Sequence, residues 1–219
     1  MKRSANVAPR HRQARSRETR AAIIAAAERI FAKSGLAGAR TEAIADAAGV
    51  NKALLYYYFK GKDNLFEAVV EEHLGEFNRQ ALQLLAEPGS ARGILLRYVN
   101  LHFDFISAHH CSAPLFQQMM MANGKFLERL IEKYLSPRSA ALHQLIHRGV
   151  RTREFRRVDP FNTTMSIVSL IVFYFSAARV LQVLGRTDAY TPANLKRRKR
   201  EVLDFIRHAL FVDPSFSLS

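Results

Sequence analysis

The chain has one cysteine, no tryptophan and few acidic residues. A lone Cys111 excludes an internal disulfide and a multi-cysteine metal site, and it is typical of a reducing compartment. No apolar run reaches the roughly 20 residues that cross a bilayer, because the longest, Met165 to Ala178, is cut short by Arg179. The basic N-terminus has no apolar segment behind it, so no signal peptide is visible. We therefore expect a cytoplasmic protein without a membrane partner.

Motifs of enzymes are also missing from the sequence. It has no nucleophile elbow, P-loop, Gly-rich dinucleotide turn or paired-carboxylate motif. We expect no catalytic residue, no cofactor and no enzyme activity. His143 and His147 lie four positions apart, a spacing at which two imidazoles on a helix can share a zinc ion. Because no carboxylate motif accompanies them, we interpret them as surface or pocket-lining histidines, with a metal site as the alternative.

The shortage of acidic residues leaves a large positive charge. The 219 residues include 33 Lys and Arg against 19 Asp and Glu, for a net charge of +14. Such an excess attracts a polyanion. Nucleic acid is the simplest partner, and an anionic membrane surface is the alternative. With 48% hydrophobic residues, the chain is long enough to bury a fair-sized core.

Strand signals and internal repeats are absent, whereas apolar residues recur at helical spacing along most of the chain. The expected fold is all-α. The first residues are rich in Arg and poor in large apolar side chains, which predicts a flexible basic arm over residues 1–17. This arm either lies along DNA phosphates or only adds solubility. Further helices are expected at residues 17–34, 62–86, 90–108, a short segment from 114, 124–153 with a kink or a split at Pro137, 160–184 and 192–211.

The stretch from Thr41 to Lys62 carries the most specific pattern. Thr41 is a suitable N-cap for a first short helix, Gly49 ends that helix, and Asn51 can cap a second one. In the second helix Leu55 and Phe59 fall one turn apart and face the core, which leaves the residues between them on the outside. This arrangement predicts a helix-turn-helix whose second helix enters the major groove.

The sequence T-x-x-I-A-x-x-A-G-V-x-K-x-x-L-Y-x-Y-F-x-x-K over this stretch resembles the DNA-binding signature of TetR-type (TetR/AcrR) bacterial transcriptional regulators. Ala53 and Leu54 stand where many relatives have Gly and Thr, so no relative's operator can be copied. The resemblance implies DNA contacts of three kinds: phosphate contacts by Thr41, Tyr56 and Lys62, base-edge contacts by Lys52, Ala53 and Leu54, and contacts to thymine methyls and phosphates by Tyr57 and Tyr58.

The resemblance is specific over residues 1–86. Beyond them only the helix order and F-R-x-V-D-P, from Phe155 to Pro160, look familiar, and Arg153 stands near a helix end where Gly would be expected. The implied organisation is a basic arm (1–17), a three-helix helix-turn-helix DNA-binding domain (18–64) and a larger helical ligand-binding and dimerisation domain (65–219). We expect the helix over 62–86 to be the only element that links the two domains mechanically.

The implied function is that of a homodimeric repressor, released from palindromic double-stranded operator DNA by a small, largely apolar molecule. The sequence does not show the effector, the operator or the regulated genes. The competing hypothesis is a basic helical protein that binds membrane surfaces or nucleoid DNA without sequence preference. Such a protein would not need the turn residues Gly49, Val50 and Asn51.

Three further features concern the larger domain. The helix from residue 160 is apolar nearly all round, so we expect the last two long helices to form the dimer interface, with complete burial inside one chain as the alternative. The cluster KRRKR from Lys196 to Arg200 either contacts a second anion or is a solvated face near the dimer edge. The candidate effector-binding residues, which are otherwise plain core, are His102, Phe105, Met119, Met120, Phe126, Tyr134, His143, His147, Phe173 and Tyr174.

Overall fold

A computed structural model describes residues 8–109, 111–121, 124–185, 188–213 and 215. Within these residues the chain is helical almost throughout and forms no strand, in agreement with the predicted all-α fold. The helices are α1 (Ala8–Gly38), α2 (Thr41–Ala47), α3 (Lys52–Phe59), α4 (Lys62–Leu85), α5 (Ala91–Ala108), α6 (Ser112–Met120), α7 (Lys125–Leu130), α8 (Ser136–Arg151), α9 (Pro160–Ser176), α10 (Ala178–Gly185) and α11 (Pro192–Leu210).

The chain divides into two compact units. The first contains the residues up to His73 together with Pro114–Met121, and the second contains Leu74–Ala113 and the residues from 122 onward. The predicted domain boundary between residues 64 and 65 therefore lies inside α4, which runs from the first unit into the second. The expectation that α4 alone links the units is wrong, because the segment Pro114–Met121 also belongs to the first unit while its sequence neighbours belong to the second.

The first unit is built around α1 and the short helices that follow it. Phe31 and Phe66 are buried and meet edge to face, with ring centres 5.3 Å apart. α1 is interrupted at Gly35, whose φ of 69° and ψ of 169° are not helical, so the predicted stop at this glycine is confirmed. Gln118 of α6 fills the break: its Nε2 donates to the Phe31 carbonyl at 3.0 Å, and its Oε1 accepts the Leu36 N–H at 2.9 Å. Both are backbone groups that an interrupted helix leaves without an internal partner.

The prediction of a flexible arm over residues 1–17 is wrong for residues 8–17, which form the first turns of α1. Residues 1–7 lie outside the described residues. In this extended part of α1 the Ser16 hydroxyl lies 2.9 Å from the hydroxyl of Tyr58 on α3. The composition of the segment does not reveal this contact. The helix therefore begins earlier than the scarcity of apolar residues suggested.

The second unit has α5 at its centre, packed against α8, α9 and α11. Tyr98 and Phe103 of α5 are fully buried, and the Phe103 ring lies 5.0 Å from that of Phe175 on α9. A local cap defines the start of α5: Ser90 Oγ accepts the Gly93 N–H at 3.1 Å.

The predicted kink at Pro137 takes the form of a π-helical turn. Residues Ile131–Leu135, between α7 and α8, are π-helical, and the Ser136 N–H bonds to the Ile131 carbonyl. Pro137 has no N–H to continue the α-helical ladder, and its ring clashes with the carbonyl four residues before it. A wider turn just before the proline relieves that clash while the helix continues.

The predicted helix over residues 160–184 is wrong in one respect, because it breaks at Ala177 into α9 and α10. No proline or glycine marks this break, and the contact that holds the chain beyond it is non-local: the Tyr174 hydroxyl donates to the Ala189 carbonyl at 2.9 Å. Of the described helices, none is by itself long and apolar enough to cross a bilayer. Only α9 and α10 taken together reach that composition, and they are bent by 64°.

The connection from α8 to α9 is held by close packing. Gly149 faces the ring of Phe155 so closely that an added Cβ would lie 2.2 Å from it. The Phe155 ring in turn stacks on Phe211 after α11, with centres 5.5 Å apart. Backbone bonds from Arg156 N to Leu210 O (3.0 Å) and from Val212 N to Glu154 O (3.1 Å) fix the two segments together. The F-R-x-V-D-P segment thus anchors the end of the last helix.

Candidate DNA interface and effector region

The turn between α2 and α3 is fixed by local hydrogen bonds. The Val50 N–H bonds to the Ala45 carbonyl at 3.0 Å and the Gly49 N–H to the Asp46 carbonyl at 3.1 Å, while Gly49 adopts a φ of 67°. This is the Schellman ending that a glycine at this position permits. Asn51 Oδ1 then accepts the Leu54 N–H at 2.8 Å, which confirms the predicted cap of α3.

The predicted cap of α2 is wrong by one residue. Arg40 has the extended backbone of an N-cap, and Thr41 is the first residue of the helix. The Thr41 side chain is largely buried, and its hydroxyl donates to Glu42 Oε2 at 3.3 Å. A threonine followed by a helix pattern marks the helix start in sequence but does not distinguish the cap from the position after it.

The two faces of α3 separate as predicted. Leu55 and Phe59 are buried in the first unit, and Tyr57 is 78% exposed. Of the outward residues, Lys52, Ala53, Tyr56 and Tyr57 are exposed, and Leu54 and Tyr58 are half-buried. The helix therefore presents polar and aromatic groups that its own core does not use.

Lys52 is already engaged by a neighbouring helix. Its ammonium forms a short ion pair with the Glu42 carboxylate of α2 and lies 5.8 Å from the centre of the Tyr56 ring. The hydrogen bond with Glu42 raises the pKa of Lys52, and the same bond lowers the pKa of Glu42. A DNA phosphate or base that approaches Lys52 therefore competes with Glu42 for the ammonium.

Lys62, at the start of α4, fastens the loop that precedes α2. Its Nζ donates to the carbonyls of Ala37 at 3.3 Å and Ala39 at 3.2 Å. An ammonium has three N–H donors, so one remains for another acceptor. The phosphate contact that the resemblance implies for Lys62 stays a prediction.

The ten residues named as effector candidates do not form one group. Met119 is buried in the first unit with α6, and Met120, His147 and Phe173 are exposed. His143 Nε2 lies 3.3 Å from Ser139 Oγ on the same helix. Phe126 and Tyr174 are half-buried. The remaining candidates are the buried side chains of His102, Phe105 and Tyr134.

His102 and Phe105 meet around one aromatic side chain, Phe77 of α4. Ring centres lie 4.5 Å apart for Phe77 and His102 and 5.1 Å apart for Phe77 and Phe105. A further polar side chain, Arg138, also contacts this ring and was not among the predicted residues: its guanidinium carbon lies 4.9 Å from the Phe77 ring centre. A signal was available, because Arg138 precedes Leu142 and Leu145 on the buried stripe of α8 at helical spacing.

The basic cluster of α11 is largely bonded within the second unit. Lys199 Nζ lies 2.7 Å from a carboxylate oxygen of Asp104, and Arg198 Nη2 donates to the Leu170 carbonyl at 2.8 Å. Arg197 Nη2 donates to Asn194 Oδ1 at 3.1 Å. These contacts support structural roles for the three side chains over a second anion contact.

Comparison with known proteins agrees with this architecture. A curated relative, the probable HTH-type transcriptional regulator YttP of Bacillus subtilis, is 23% identical over 86% of this chain and 92% of its own. Among solved structures, FadR of Bacillus subtilis in complex with stearoyl-CoA has a TM-score of 0.67 at 21% identity, over 84% of this chain and 96% of FadR. The ketosteroid regulator KstR2 of Mycobacterium tuberculosis has a TM-score of 0.73 at 16% identity, over 89% and 95%. At these identities the structures show the shared fold.

Family models cover both units. Residues 23–69 match bacterial regulatory proteins of the tetR family, and residues 93–206 match the tetracyclin repressor-like C-terminal domain. The named relatives are transcriptional regulators and not enzymes. A basic protein that binds DNA or membranes without specificity is not supported by these matches. The chain belongs to the TetR family of bacterial transcriptional regulators, which bind DNA through a helix-turn-helix.

Proposed function

We propose that the protein is a cytoplasmic homodimeric repressor that holds a palindromic operator with two copies of α3 and releases it when a small, largely apolar molecule binds the second unit. The observation that carries the DNA-binding part is the outward face of α3, which is exposed although it is rich in aromatic side chains. Lys52, Ala53 and Leu54 lie in its first turn, the part of a recognition helix that meets base edges. Thr41, Tyr56, Tyr57, Tyr58 and Lys62 are the proposed contacts to phosphates and thymine methyls.

Dimerisation is supported by exposed apolar side chains on helices that pack together in the second unit. Phe173 of α9 is 71% exposed and Phe205 of α11 is 58% exposed. A monomer rarely leaves several such side chains in water, and an exposed patch of this kind marks an interaction surface. A partner copy would cover both, and its recognition helix would then read the second half-site about 34 to 36 Å away.

Effector control is supported by the relatives and by the route of the chain. FadR was solved with stearoyl-CoA, and KstR2 is a ketosteroid regulator, so an effector with a large apolar body is the simplest expectation. Two segments carry a change from the second unit to the first: α4, and the segment Pro114–Met121 with its Gln118 contacts to α1. By linkage, an effector that weakens operator binding is itself bound less tightly in the presence of the operator.

The test is selection of genomic fragments by the purified protein, followed by sedimentation of the free and bound forms. We expect a palindromic consensus and a free species of twice 24.8 kDa. Phe173→Asp should give monomers with weakened operator binding, because it places a charge in the interface. A monomeric wild type that binds fragments without a consensus would contradict the proposal.

The groove assignment has its own pair of variants. Lys52→Ala should lower discrimination between operator and altered operator by about 1 to 3 kcal/mol, because it removes a base-edge contact. Tyr56→Phe removes only a hydroxyl and should weaken all sequences alike, as expected for a phosphate contact. Mobility-shift titrations at fixed salt measure both. If neither variant changes binding, α3 does not lie in the groove in the proposed way.

A further inference from the structure

Arg138 is a buried cation without an anionic partner. Only 9% of its surface is exposed, and it forms no ion pair with a carboxylate among the described residues. Its Nη1 is buried and makes no hydrogen bond. An arginine cannot lose its charge inside a protein, so the guanidinium remains a cation in this position. The Phe77 ring beneath it compensates only part of the lost hydration.

Two further polar side chains converge on the same place from α5. Tyr98 and His102 are one helical turn apart and 0% and 5% exposed, with ring centres 5.7 Å from each other. Their rings lie 6.3 Å and 4.5 Å from that of Phe77. The Tyr98 hydroxyl lies close to the Arg138 guanidinium, but neither this hydroxyl nor the buried His102 Nδ1 makes a hydrogen bond of normal distance and angle. Three helices, α4, α5 and α8, thus bring three unsatisfied polar groups around one aromatic ring.

The protonation states of these three side chains determine the net charge of the cluster. Burial, with a further contribution from the Arg138 charge, lowers the pKa of His102 to about 3, so the imidazole is neutral. Burial raises the pKa of Tyr98, so the phenol keeps its proton, although the nearby guanidinium opposes that rise. The cluster therefore carries a single positive charge. All three groups can donate hydrogen bonds, since the neutral imidazole bears a proton on one of its nitrogens.

We propose that this cluster binds the carboxylate of the effector, which is then a largely apolar monocarboxylic acid. The guanidinium fork matches a carboxylate in shape, and the Tyr98 hydroxyl and the His102 ring supply the remaining donors. One negative charge balances the one buried cation, whereas a phosphate dianion would leave an excess charge in an apolar interior. The rings of Phe77 and Phe105 and the buried Tyr134 supply apolar surface near the cluster. The inference rests on the proposed effector control and assigns its chemistry.

The π-helical turn supports a role in binding. It ends at Leu135, three residues before Arg138, and it carries the buried Tyr134. Turns of this kind are frequent at functional sites, because a wider turn re-aims the side chains that follow it. Tyr134 also touches α4, where an added Cβ on Gly75 would lie 3.5 Å from its ring. The segment that positions Arg138 is thus seated on the helix that runs toward the DNA-binding unit.

The first experiment uses straight-chain carboxylates from butanoate to decanoate, each beside the amide and the amine of the same length. Thermal unfolding and calorimetric titration of the full-length protein measure binding. We expect the longer carboxylates to raise the melting temperature by about 3 °C or more at saturation, as a ligand that binds only the folded state must. The matched amides and amines should bind at least tenfold more weakly. Equal binding of acid and amide would overturn the proposal.

The second experiment replaces the cation by a side chain of similar length. Arg138→Met should abolish the preference for carboxylate over amide and lower carboxylate affinity at least tenfold. The ligand-free variant should melt no lower than the wild type, because it removes an unpaired buried charge. Arg151→Met on the exposed end of the same helix is the matched control and should keep both properties. Lower stability of ligand-free Arg138→Met with unchanged carboxylate binding would show that Arg138 is structural.

The two proposals fail in different measurements. Operator selection and mobility shifts without any added acid test the proposed repressor. If the operator is bound but no carboxylate binds, the repressor stands and the acid assignment is wrong. If carboxylates bind through Arg138 but do not change operator affinity, the site exists and effector control by it is wrong.

Discussion

The first unit keeps several polar side chains of its proposed site on the surface, whereas the second unit keeps those of its proposed site inside. On α3, Lys52 and Tyr57 are exposed, and Lys52 is neutralised by a surface carboxylate. In the second unit Tyr98, His102 and Arg138 are buried, and each has a polar atom that makes no hydrogen bond of normal geometry. The side chains that contact DNA lie at the protein surface, so they stay hydrated until DNA binds and their exposure costs little free energy. A small effector must be enclosed, so the side chains that contact it are already dehydrated before it binds.

The same contrast runs through the packing of the two units. Gly49, in the helix-turn-helix, has no neighbour within 4 Å of an added Cβ, and only its φ of 67° requires glycine. Gly149 in the second unit is required by packing, because an added Cβ would lie 2.2 Å from the ring of Phe155, six residues later. One glycine serves the backbone conformation of a turn, and the other leaves room for an aromatic ring that stacks on Phe211 after the last helix. The turn in the first unit therefore depends only on its local sequence, whereas the turn in the second unit also depends on a distant segment.

The largest expected effect separates these two glycines. Gly149→Ala should destabilise the protein by about 3 kcal/mol, because Phe155 is buried against Phe211 and cannot move aside. Gly49→Ala should cost about 1 kcal/mol, the price of a positive φ in a residue with a Cβ. Urea unfolding of both variants measures the difference. Similar losses of stability in the two variants would mean that the second unit rearranges around Phe155 to make room for the added methyl group.

The next effect is a loss of stability at acidic pH that arises from His102. The His102 pKa is lowered to about 3 in the folded protein, against 6.5 for a free histidine. Above pH 6.5 the imidazole is neutral in both the folded and the unfolded state, so the free energy of unfolding is not reduced by its protonation. Below pH 6.5 the unfolded chain binds a proton at this histidine and the folded protein does not, so the folded state becomes less stable as the pH falls. At pH 5 the loss is about 2 kcal/mol, from 1.36 kcal/mol per pH unit. Arg138 is the charged group that faces the ring and adds to this shift.

The variant His102→Gln should remove this part of the acid dependence, which urea titrations between pH 7 and pH 4.5 can measure. His147→Gln, at an exposed position of the same unit, is the control and should retain the wild-type slope. Identical slopes in wild type and His102→Gln would show that the imidazole is not held neutral by the fold. The outcome also tests whether water is excluded from the cluster around His102 in the folded protein, as its burial indicates.

Sequence reasoning succeeded where contacts are local and failed where they are not. Gly49 and Asn51 act within a few residues of their own positions, so their roles could be predicted. Arg138 reaches Tyr98 and Phe77 on other helices, and no spacing rule connects those positions. Gln118 likewise acts on α1, more than eighty residues earlier in the chain. The break at Ala177 has no local signal at all, because neither proline nor glycine occurs there.

A smaller effect is expected at Gln118, where a residue from the middle of the chain completes the first unit. Gln118→Met keeps the length but leaves the Phe31 carbonyl and the Leu36 N–H without their partner, at a cost of about 1 to 2 kcal/mol. Hydrogen exchange should show faster exchange of the Leu36 amide. Gln117→Met, on the exposed side of α6, is the control. Unchanged protection at Leu36 would mean that α6 does not hold the break in α1.

The smallest expected effect returns to helix endings. α8 ends with the same two bonds as α2, from Glu154 N to Gly149 O (2.9 Å) and from Arg153 N to Val150 O (3.2 Å), but Arg153 occupies the position that Gly49 has in α2, with a φ of 61°. A residue with a Cβ is strained there. Arg153→Gly should therefore stabilise the protein, but only by about 0.5 kcal/mol, because glycine also gains freedom in the unfolded chain. Arg153→Ala removes the same exposed side chain and keeps the Cβ, so it should give no gain. Thermal unfolding of the two variants side by side isolates the backbone strain, and a gain shared by both would assign the effect to the lost positive charge instead.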